Sequence, residues 1–210
     1  MDSLRSSLKD VEEKLSSQLN QREKLLKESR DVISLCSRAI ISVHNGRPSG
    51  AEEELKAARA LLADLRKSGE GSLSRYLVSP ETEFVEASTV YALSAGRPIP
   101  GRPALGVSPE AYLLGILDTV GELKRLVLDS IMKGDIPKAR GFFDSMQDLY
   151  SACSPLAIYD HVANGTRRKL DVARMLVEDT RGVMTEEVRR ESVNASMKRL
   201  EKRLDRRSAT

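Results

Sequence analysis

The stretch SPEAYLLGILDTVGELKRLVLDSIMKGDI, residues 108–136, decides the fold of this chain. It opens with Ser108 and Pro109, a typical N-cap residue followed by a residue suited to the first turn of a helix. Apolar residues then cover most of the helical circumference and leave one narrow charged stripe. The sequence therefore predicts a largely buried helix over 108–133, separated by Gly134 from the helix that follows.

Six further helices are predicted around this one from apolar periodicity. They span residues 2–45, 51–67, 72–94, 137–151, 155–181 and 185–206. The first is about 65 Å long and needs a partner along its length. Pro80 predicts an irregularity in the third helix, 95–106 a Pro- and Gly-rich loop, and Gly182 the end of the sixth helix. These elements predict one all-α domain over 1–210, with a C-terminal helix and frayed tail at 185–210.

The composition agrees with a helical globular protein. Hydrophobic residues make up 40% and aromatic residues only 4%, which argues against β-sandwiches and barrels. The net charge of +3 permits nucleic-acid binding without arguing for it. Two cysteines exclude a disulfide scaffold, and the charged N-terminus is unlike a signal peptide. The same cysteine usage fits a reducing compartment, so we expect a cytoplasmic protein. No apolar stretch approaches a transmembrane length, so we expect no contact with the membrane.

The charged stripe of the helix over 108–133 carries the first candidate site. Asp118 and Glu122 are i, i+4 neighbours on it, and Arg125 and Asp129 share the same face. One interpretation is a thin solvated strip in which Arg125 neutralises Glu122. The other is a carboxylate pair held for a cation, and this helix alone leaves both interpretations open.

A second acidic pair, Glu83 and Glu86, lies on the predicted helix over 72–94. If these consecutive helices pack antiparallel, four carboxylates come together. Without a divalent cation the four carboxylates repel one another. With Mg²⁺ or Mn²⁺ they form a site of hard oxygen ligands. That kind of site can activate water to attack a phosphodiester. A di-iron centre would need Glu-x-x-His, which is absent from the sequence.

Basic residues concentrate after His161, and Arg167, Arg168 and Lys169 form the densest run before the C-terminal helix. The simpler interpretation is a solvated helix face. The alternative is sequence-tolerant contact with phosphates, because no aromatic residues interleave for base stacking. His44 and His161 lie outside the acidic motifs, so we expect a metal-activated water and not a histidine to provide the nucleophile. A zinc site or a Cys/His or Ser/His/Asp nucleophile has no local motif behind it.

Four segments carry a family resemblance. They are SRDVISLCSRAIISVH (29–44), EFVEA (83–87), the opening stretch (108–136) and the surroundings of Tyr150. Over roughly 22–181 the chain resembles the translin family, and it is more similar to the Trax branch (translin-associated factor X) than to translin itself. The resemblance implies a seven-helix translin-like bundle with a long N-terminal helix, assembled into closed, hollow octamers that hold nucleic acid inside.

The Trax branch further implies a Mg²⁺- or Mn²⁺-dependent endoribonuclease. Its catalytic, metal-binding acids match Glu83, Glu86, Asp118 and Glu122, whereas Glu81, next to Pro80, is not expected to join them. The candidate nucleic-acid contacts are Arg125, Arg167, Arg168 and Lys169.

Two other functions stay open beside the endoribonuclease. Translin subunits lack the acid set, so the first alternative is an assembly that binds RNA or single-stranded DNA without turnover. The second is a helical scaffold that recruits a partner subunit. The chain lacks a long basic N-terminal extension. We therefore expect a prokaryotic or archaeal single-subunit version that forms a homo-octamer.

Overall fold

The computed structural model describes residues 1–69 and 71–208, with the side chains of 72, 207 and 208 excepted. This part of the chain contains seven α-helices, two short 3₁₀ segments and no strand. The helices are α1 (Asp2–His44), α2 (Pro48–Ser68), α3 (Val78–Ser94), α4 (Arg102–Leu105), α5 (Pro109–Met132), α6 (Ile136–Cys153) and α7 (Thr166–Ser208). The predicted all-α class is confirmed. Within these residues no helix combines the length and apolar character needed to cross a membrane.

Side-chain hydrogen bonds cap the starts of α5 and α6. The side chain of Ser108 accepts a hydrogen bond from the backbone N–H of Ala111 at 3.3 Å and so caps α5. The side chain of Asp135 does the same for α6, accepting from the backbone N–H of Lys138 at 3.1 Å. Gly134 turns the chain between them with a positive φ of 75°, a conformation that favours glycine.

The irregularity expected near Pro80 in the helix over 72–94 is present, but it lies just before this residue. The predicted helix over 72–94 is divided into a 3₁₀ segment, Gly71–Tyr76, and α3, which begins at Val78. Pro80 therefore lies in the first turn of α3, where its missing N–H has no helical acceptor to lose. The predicted loop over 95–106 also contains the single turn of α4.

The predicted helices over 155–181 and 185–206 are wrong, because one continuous helix, α7, replaces them. Gly182 lies inside α7, and glycine costs a helix only about 1 kcal/mol relative to alanine. The hydroxyl of Thr185 donates to the carbonyl oxygen of Arg181 at 2.8 Å and does not cap a new helix.

The chain before α7 forms a 3₁₀ segment, Ser154–Tyr159, and a turn in which Gly165 has a φ of +90°. The helix continues through Ser208, and residues 209 and 210 of the predicted frayed tail lie outside the described part.

The helix α5 lies at the centre of the bundle, in contact with α3, α6 and α7, while α1 contacts α2 and α3. Val120, Leu123 and Val127 of α5 are fully buried in one continuous core. Burial of each such side chain stabilises the fold by about 1.5–3 kcal/mol. The core therefore fixes α5, and with it the charged stripe on its remaining face.

The first half of α1 and the last part of α7 project from this core. Residues 2–24 of α1 are exposed, and α7 is mostly exposed beyond Met184. The apolar side chains of the projecting part of α1 are 46–60% exposed: Leu4, Leu8, Val11, Leu15 and Leu19. The sequence predicts a packing partner along the whole first helix. Within the described part of this chain, only the second half of α1 packs against other elements.

Candidate carboxylate site

Glu83 and Glu86 of α3 lie near the acids of α5. Both are half-buried. Burial, followed by the negative charges of Glu83, Asp118 and Glu122, raises the pKa of Glu86 to about 8. Burial and the charge of Asp118 also raise the pKa of Glu83. The structure therefore brings the two predicted acidic pairs into one electrostatically coupled group, in which Glu86 is largely protonated at neutral pH.

The close approach of α3 and α5 depends on Gly115. A Cβ atom at this position would lie 2.5 Å from the carbonyl oxygen of Thr82 and 2.6 Å from Cβ of Val85. Both distances are shorter than real carbon contacts, so only glycine fits between the helices as they pack here. Because Glu83 follows Thr82 directly and Asp118 lies one turn after Gly115, this contact sets the spacing between the acidic pairs.

An open cavity of about 670 Å³ lies between α3, α5 and the start of α7. Its charged lining consists of Glu83, Glu86, Asp118, Arg168 and Lys169. The ammonium group of Lys169 donates to both carboxylate oxygens of Asp118. The cavity thus combines acids with bases, and a protein cation already lies on one of the predicted metal ligands.

Glu122, one turn after Asp118, contacts His44 at the end of α1. Nε2 of His44 is 2.6 Å from Oε2 of Glu122, and Nδ1 of the same ring is 3.2 Å from Oδ2 of Asp129. The histidine side chain is only 3% exposed. Its hydrogen bond lowers the pKa of Glu122, although burial acts in the opposite direction. Glu122 is therefore kept ionised, in contrast to Glu86.

The donor chemistry of the four acids fits a hard divalent cation such as Mg²⁺ or Mn²⁺. In their present arrangement, however, no group of three or more His, Cys, Asp or Glu side chains among the described residues could hold a metal ion. Lys169 takes both oxygens of Asp118, and His44 takes one oxygen of Glu122. A divalent cation would therefore have to compete with Lys169 for Asp118.

The four predicted nucleic-acid contacts do not all line the acidic cavity. Arg168 and Lys169 line the acidic cavity. Arg167 turns to the preceding segment, where its Nε donates to the carbonyl oxygen of Ala157 at 3.3 Å. Arg125 is exposed on α5, and its charge contributes to the lowered pKa of Glu122. Only half of the predicted set thus lies beside the carboxylates in the cavity.

A cysteine nucleophile finds no support in the structure. Both cysteines are free and buried. Burial, followed by the charges of Glu83 and Glu86, raises the pKa of Cys36 to about 12. Burial raises the pKa of Cys153 to about 11. Neither thiol is therefore a thiolate at neutral pH, the form in which cysteine acts as a nucleophile.

His44 was missed as a site residue by the sequence prediction. It lies 78 residues before Glu122, and no local motif joins them. The one available signal was Asp129, an acid on the same stripe of α5 without a predicted partner. Glu81 has a structural role instead: its carboxylate accepts from Arg66 Nε and from the backbone N–H of Ser108, both at 2.8 Å. It thereby joins α2, α3 and the start of α5.

This fold and site define an all-α protein with a carboxylate-lined cavity next to basic side chains. Residues 81–180 match the model of the translin family. This segment of the chain is therefore similar to the translin family, and it includes all four predicted acids.

The chain is also similar to other proteins along most of its length. The chain is 29% identical over 189 residues to an uncharacterised protein of Methanocaldococcus jannaschii, covering 86% of this chain and 82% of the relative. It is also similar to AfC3PO, at 29% identity over 86% of this chain. The TM-score is 0.76 to its duplex RNA complex, of which 95% is covered, and 0.77 to AfC3PO alone, of which 96% is covered. Its likeness to apo-NeC3PO, at 20% identity and a TM-score of 0.77, covers 85% of this chain and 95% of that one, and shows the fold alone.

Proposed function

We propose that this chain is a Trax-type endoribonuclease that depends on Mg²⁺ or Mn²⁺ and cleaves RNA inside a homo-oligomeric shell. The observation that carries the proposal is the coupling of Glu83, Glu86, Asp118 and Glu122 across α3 and α5. A group of acids that raises the pKa of one member to about 8 lacks sufficient positive charge for all of them to ionise. A divalent cation would supply that charge.

Each part of the site has a separate task in this proposal. The four acids would hold the cation, which when bound activates water and stabilises the charge developing on the phosphodiester. Arg168 and Lys169 line the same cavity and would bind phosphate oxygens. Contacts to phosphates do not recognise bases, so cleavage would tolerate many sequences. Because such contacts are electrostatic, binding would weaken with salt. The duplex RNA complex of AfC3PO supports RNA as the substrate class.

An RNA-binding assembly without turnover is the second candidate. The ion pair between Lys169 and Asp118 favours it, because this lysine already neutralises a carboxylate that the nuclease needs as a ligand. In that case the acids would serve only to orient the basic side chains of the cavity. The two candidates make opposite predictions about removing a carboxylate.

The assembly itself is also a proposal, based on the projecting parts of α1 and α7. Both carry apolar side chains that remain about half exposed, including Leu15 and Leu19 of α1 and Met197 and Leu200 of α7. Rows of this kind at helical spacing are typical of surfaces that pack against another helix. A second copy of the chain would supply that helix, and closed assemblies of eight copies are what the Trax resemblance implies.

The deciding experiment uses the full chain with labelled single-stranded and duplex RNA, in Mg²⁺, Mn²⁺ or EDTA. The test variant is Glu86→Gln, because glutamine has the shape and charge of the protonated glutamate. We expect cleavage only with a divalent cation, and a loss of roughly 100-fold or more in the variant, since even outer-shell changes at metal sites cost 10–100-fold. RNA affinity, measured by fluorescence anisotropy in EDTA, should stay within about threefold of the wild-type value because phosphate contacts dominate binding.

Glu110→Gln provides the matched control, since Glu110 lies on α5 outside the acidic cavity. It should cleave as the wild type does. Cleavage that persists in EDTA, or full cleavage by Glu86→Gln, would contradict the nuclease proposal. RNA binding without cleavage by the wild type under any ion would support the second candidate.

A further inference from the structure

We propose that His44 is a positioning residue of the carboxylate site: it holds Glu122 through Nε2 and is held in turn by Asp129 through Nδ1. The inference rests on the proposed function, in which Glu122 is a ligand of the cation. It adds a residue from α1 to a site otherwise built from α3, α5 and α7.

The geometry of the ring carries this inference. His44 ends α1, whereas Glu122 and Asp129 lie two turns apart on the same face of α5. The ring bridges them, with 2.6 Å from Nε2 to Oε2 of Glu122 and 3.2 Å from Nδ1 to Oδ2 of Asp129. Its side chain is 3% exposed, so the bulk solvent that could compete for these contacts is largely excluded. Contacts at both nitrogens fix the plane of the imidazole as well as its position.

The hydrogen-bond chemistry leads to the same role. Both partners are carboxylates, which accept hydrogen bonds, so a ring that donates from each nitrogen satisfies both. The contact uses Oε2 of Glu122, while Oε1 makes no hydrogen bond within the described part of the chain. Glu122 is therefore anchored by one oxygen and presents the other. Partners of this kind around metal ligands fix the orientation of the ligand and tune its affinity for the metal.

A comparison with the other acids shows what the histidine contributes. Glu122 has one oxygen on His44, and its other oxygen makes no hydrogen bond within the described part of the chain. Asp118 has both oxygens on Lys169. His44 thus holds Glu122 in place and leaves one of its oxygens for a cation, whereas Lys169 occupies both oxygens of Asp118.

Two substitutions of His44 separate the roles of its nitrogens. The amide nitrogen of glutamine can take the place of Nε2, so His44→Gln retains a donor for Glu122. The shorter asparagine can replace Nδ1, so His44→Asn retains a donor for Asp129 and loses the one for Glu122. The metal probe is Mn²⁺ alone, whose binding to the full-length protein is followed by the electron paramagnetic resonance signal of the free ion. RNA cleavage in Mn²⁺ is measured in parallel, with KM and kcat separated.

We expect His44→Asn to lower Mn²⁺ affinity and kcat by about tenfold or more, with little change in KM for RNA. His44→Gln should stay within about threefold of the wild type in each quantity. Melting curves in EDTA show whether both variants fold. Equal losses in two folded variants, or no loss in His44→Asn, would overturn the inference. If His44→Asn does not fold, His44→Gln decides: wild-type Mn²⁺ affinity supports the role and a tenfold loss overturns it.

The same measurements keep this inference distinct from the proposed function. If the wild type binds Mn²⁺ but cleaves no RNA, the nuclease proposal fails, and the Mn²⁺ affinities of the two variants still decide the role of His44. If the wild type binds no Mn²⁺, the acids do not form a metal site and both proposals are overturned.

Discussion

Glu86 and Glu122 show how one residue type acquires two different charge states in the same site. Burial and the charges of neighbouring acids raise the pKa of Glu86 to about 8. Glu122 accepts a hydrogen bond from His44, which lowers its pKa. Such divergent environments assign different tasks to chemically similar carboxylates. At neutral pH Glu122 is thus ionised, whereas Glu86 would have to lose a proton before it could act as an anionic ligand of the proposed cation.

The raised pKa of Glu86 predicts a dependence of stability on pH. Between its ordinary value of 4.5 and about 8, the unfolded chain releases this proton while the folded chain keeps it. The stabilising contribution is therefore complete below pH 4.5 and is lost as the pH rises through 8. Glu86→Gln has no such proton to lose, so in EDTA its stability relative to the wild type should rise across this window. At about 1.4 kcal/mol per pKa unit, the gain should be on the order of a few kcal/mol.

Urea unfolding of both proteins in EDTA at pH 5, 6, 7 and 8 measures this difference. Glu110→Gln is again the control and should show no gain with pH. A free-energy difference between Glu86→Gln and the wild type that is constant from pH 5 to 8 would mean that Glu86 is not the group that keeps its proton. Added Mg²⁺ should stabilise the wild type more than the variant, because the variant lacks a carboxylate ligand.

At the scale of the elements, the crossing of α3 and α5 determines whether the acids meet. Gly115→Ala places a methyl group against the backbone of Thr82 and the side chain of Val85, so the two helices have to separate. We expect a loss of about 1–3 kcal/mol in the free energy of unfolding, the usual cost of overpacking. Mn²⁺ affinity should fall as well, because Glu83 and Glu86 move away from Asp118.

Gly121→Ala is the matched control on the same helix. A Cβ there meets only the Cδ1 atom of Leu176, at an ordinary 3.9 Å. This variant should be as stable as the wild type or more stable by up to about 1 kcal/mol, because alanine favours helix more than glycine does. Urea unfolding of the two variants measures the contrast. Equal stability of Gly115→Ala and Gly121→Ala would show that the crossing is not close enough to exclude a methyl group.

Features of the fold and site that depend on neighbouring residues could be predicted from the sequence, whereas features that depend on distant residues could not. The start of α5 was predictable because Ser108 and Pro109 act within one turn. The single helix α7 was not, because Gly182 weakens a helix without breaking it and the continuation depends on the residues on both sides. The acidic pairs were predictable because their helical spacing is written in the sequence. The bridge from His44 to Glu122 depends on where α1 ends against α5, which no short motif encodes.

At the scale of the whole molecule, the projecting half of α1 is the feature that the isolated chain leaves unexplained. Its apolar side chains recur at helical spacing, yet each is about half exposed. The part of α7 that projects beyond Met184 has the same character. Helices of this length gain most of their stability from packing an apolar face. The proposed assembly would supply such a face from a second copy, and His44, at the opposite end of α1, links that helix to the carboxylate site.

The double substitution Leu8→Ser/Leu15→Ser tests this account of α1. Both leucines lie on the exposed apolar row, so the core of the subunit should be unaffected. If the row packs against another copy, each leucine contributes about 1.5–3 kcal/mol of burial at every contact, and losing two of them should break the assembly into smaller species. Light scattering at micromolar protein and moderate salt should give a wild-type mass several times the 23.2 kDa of one chain, and a lower mass for the variant.

The control Glu13→Ser/Asn20→Ser alters exposed polar positions away from the row and should keep the wild-type mass. A monomeric wild type, or a double leucine variant of unchanged mass, would show that the row on α1 does not hold copies together, and the proposed shell would then lack its main contact.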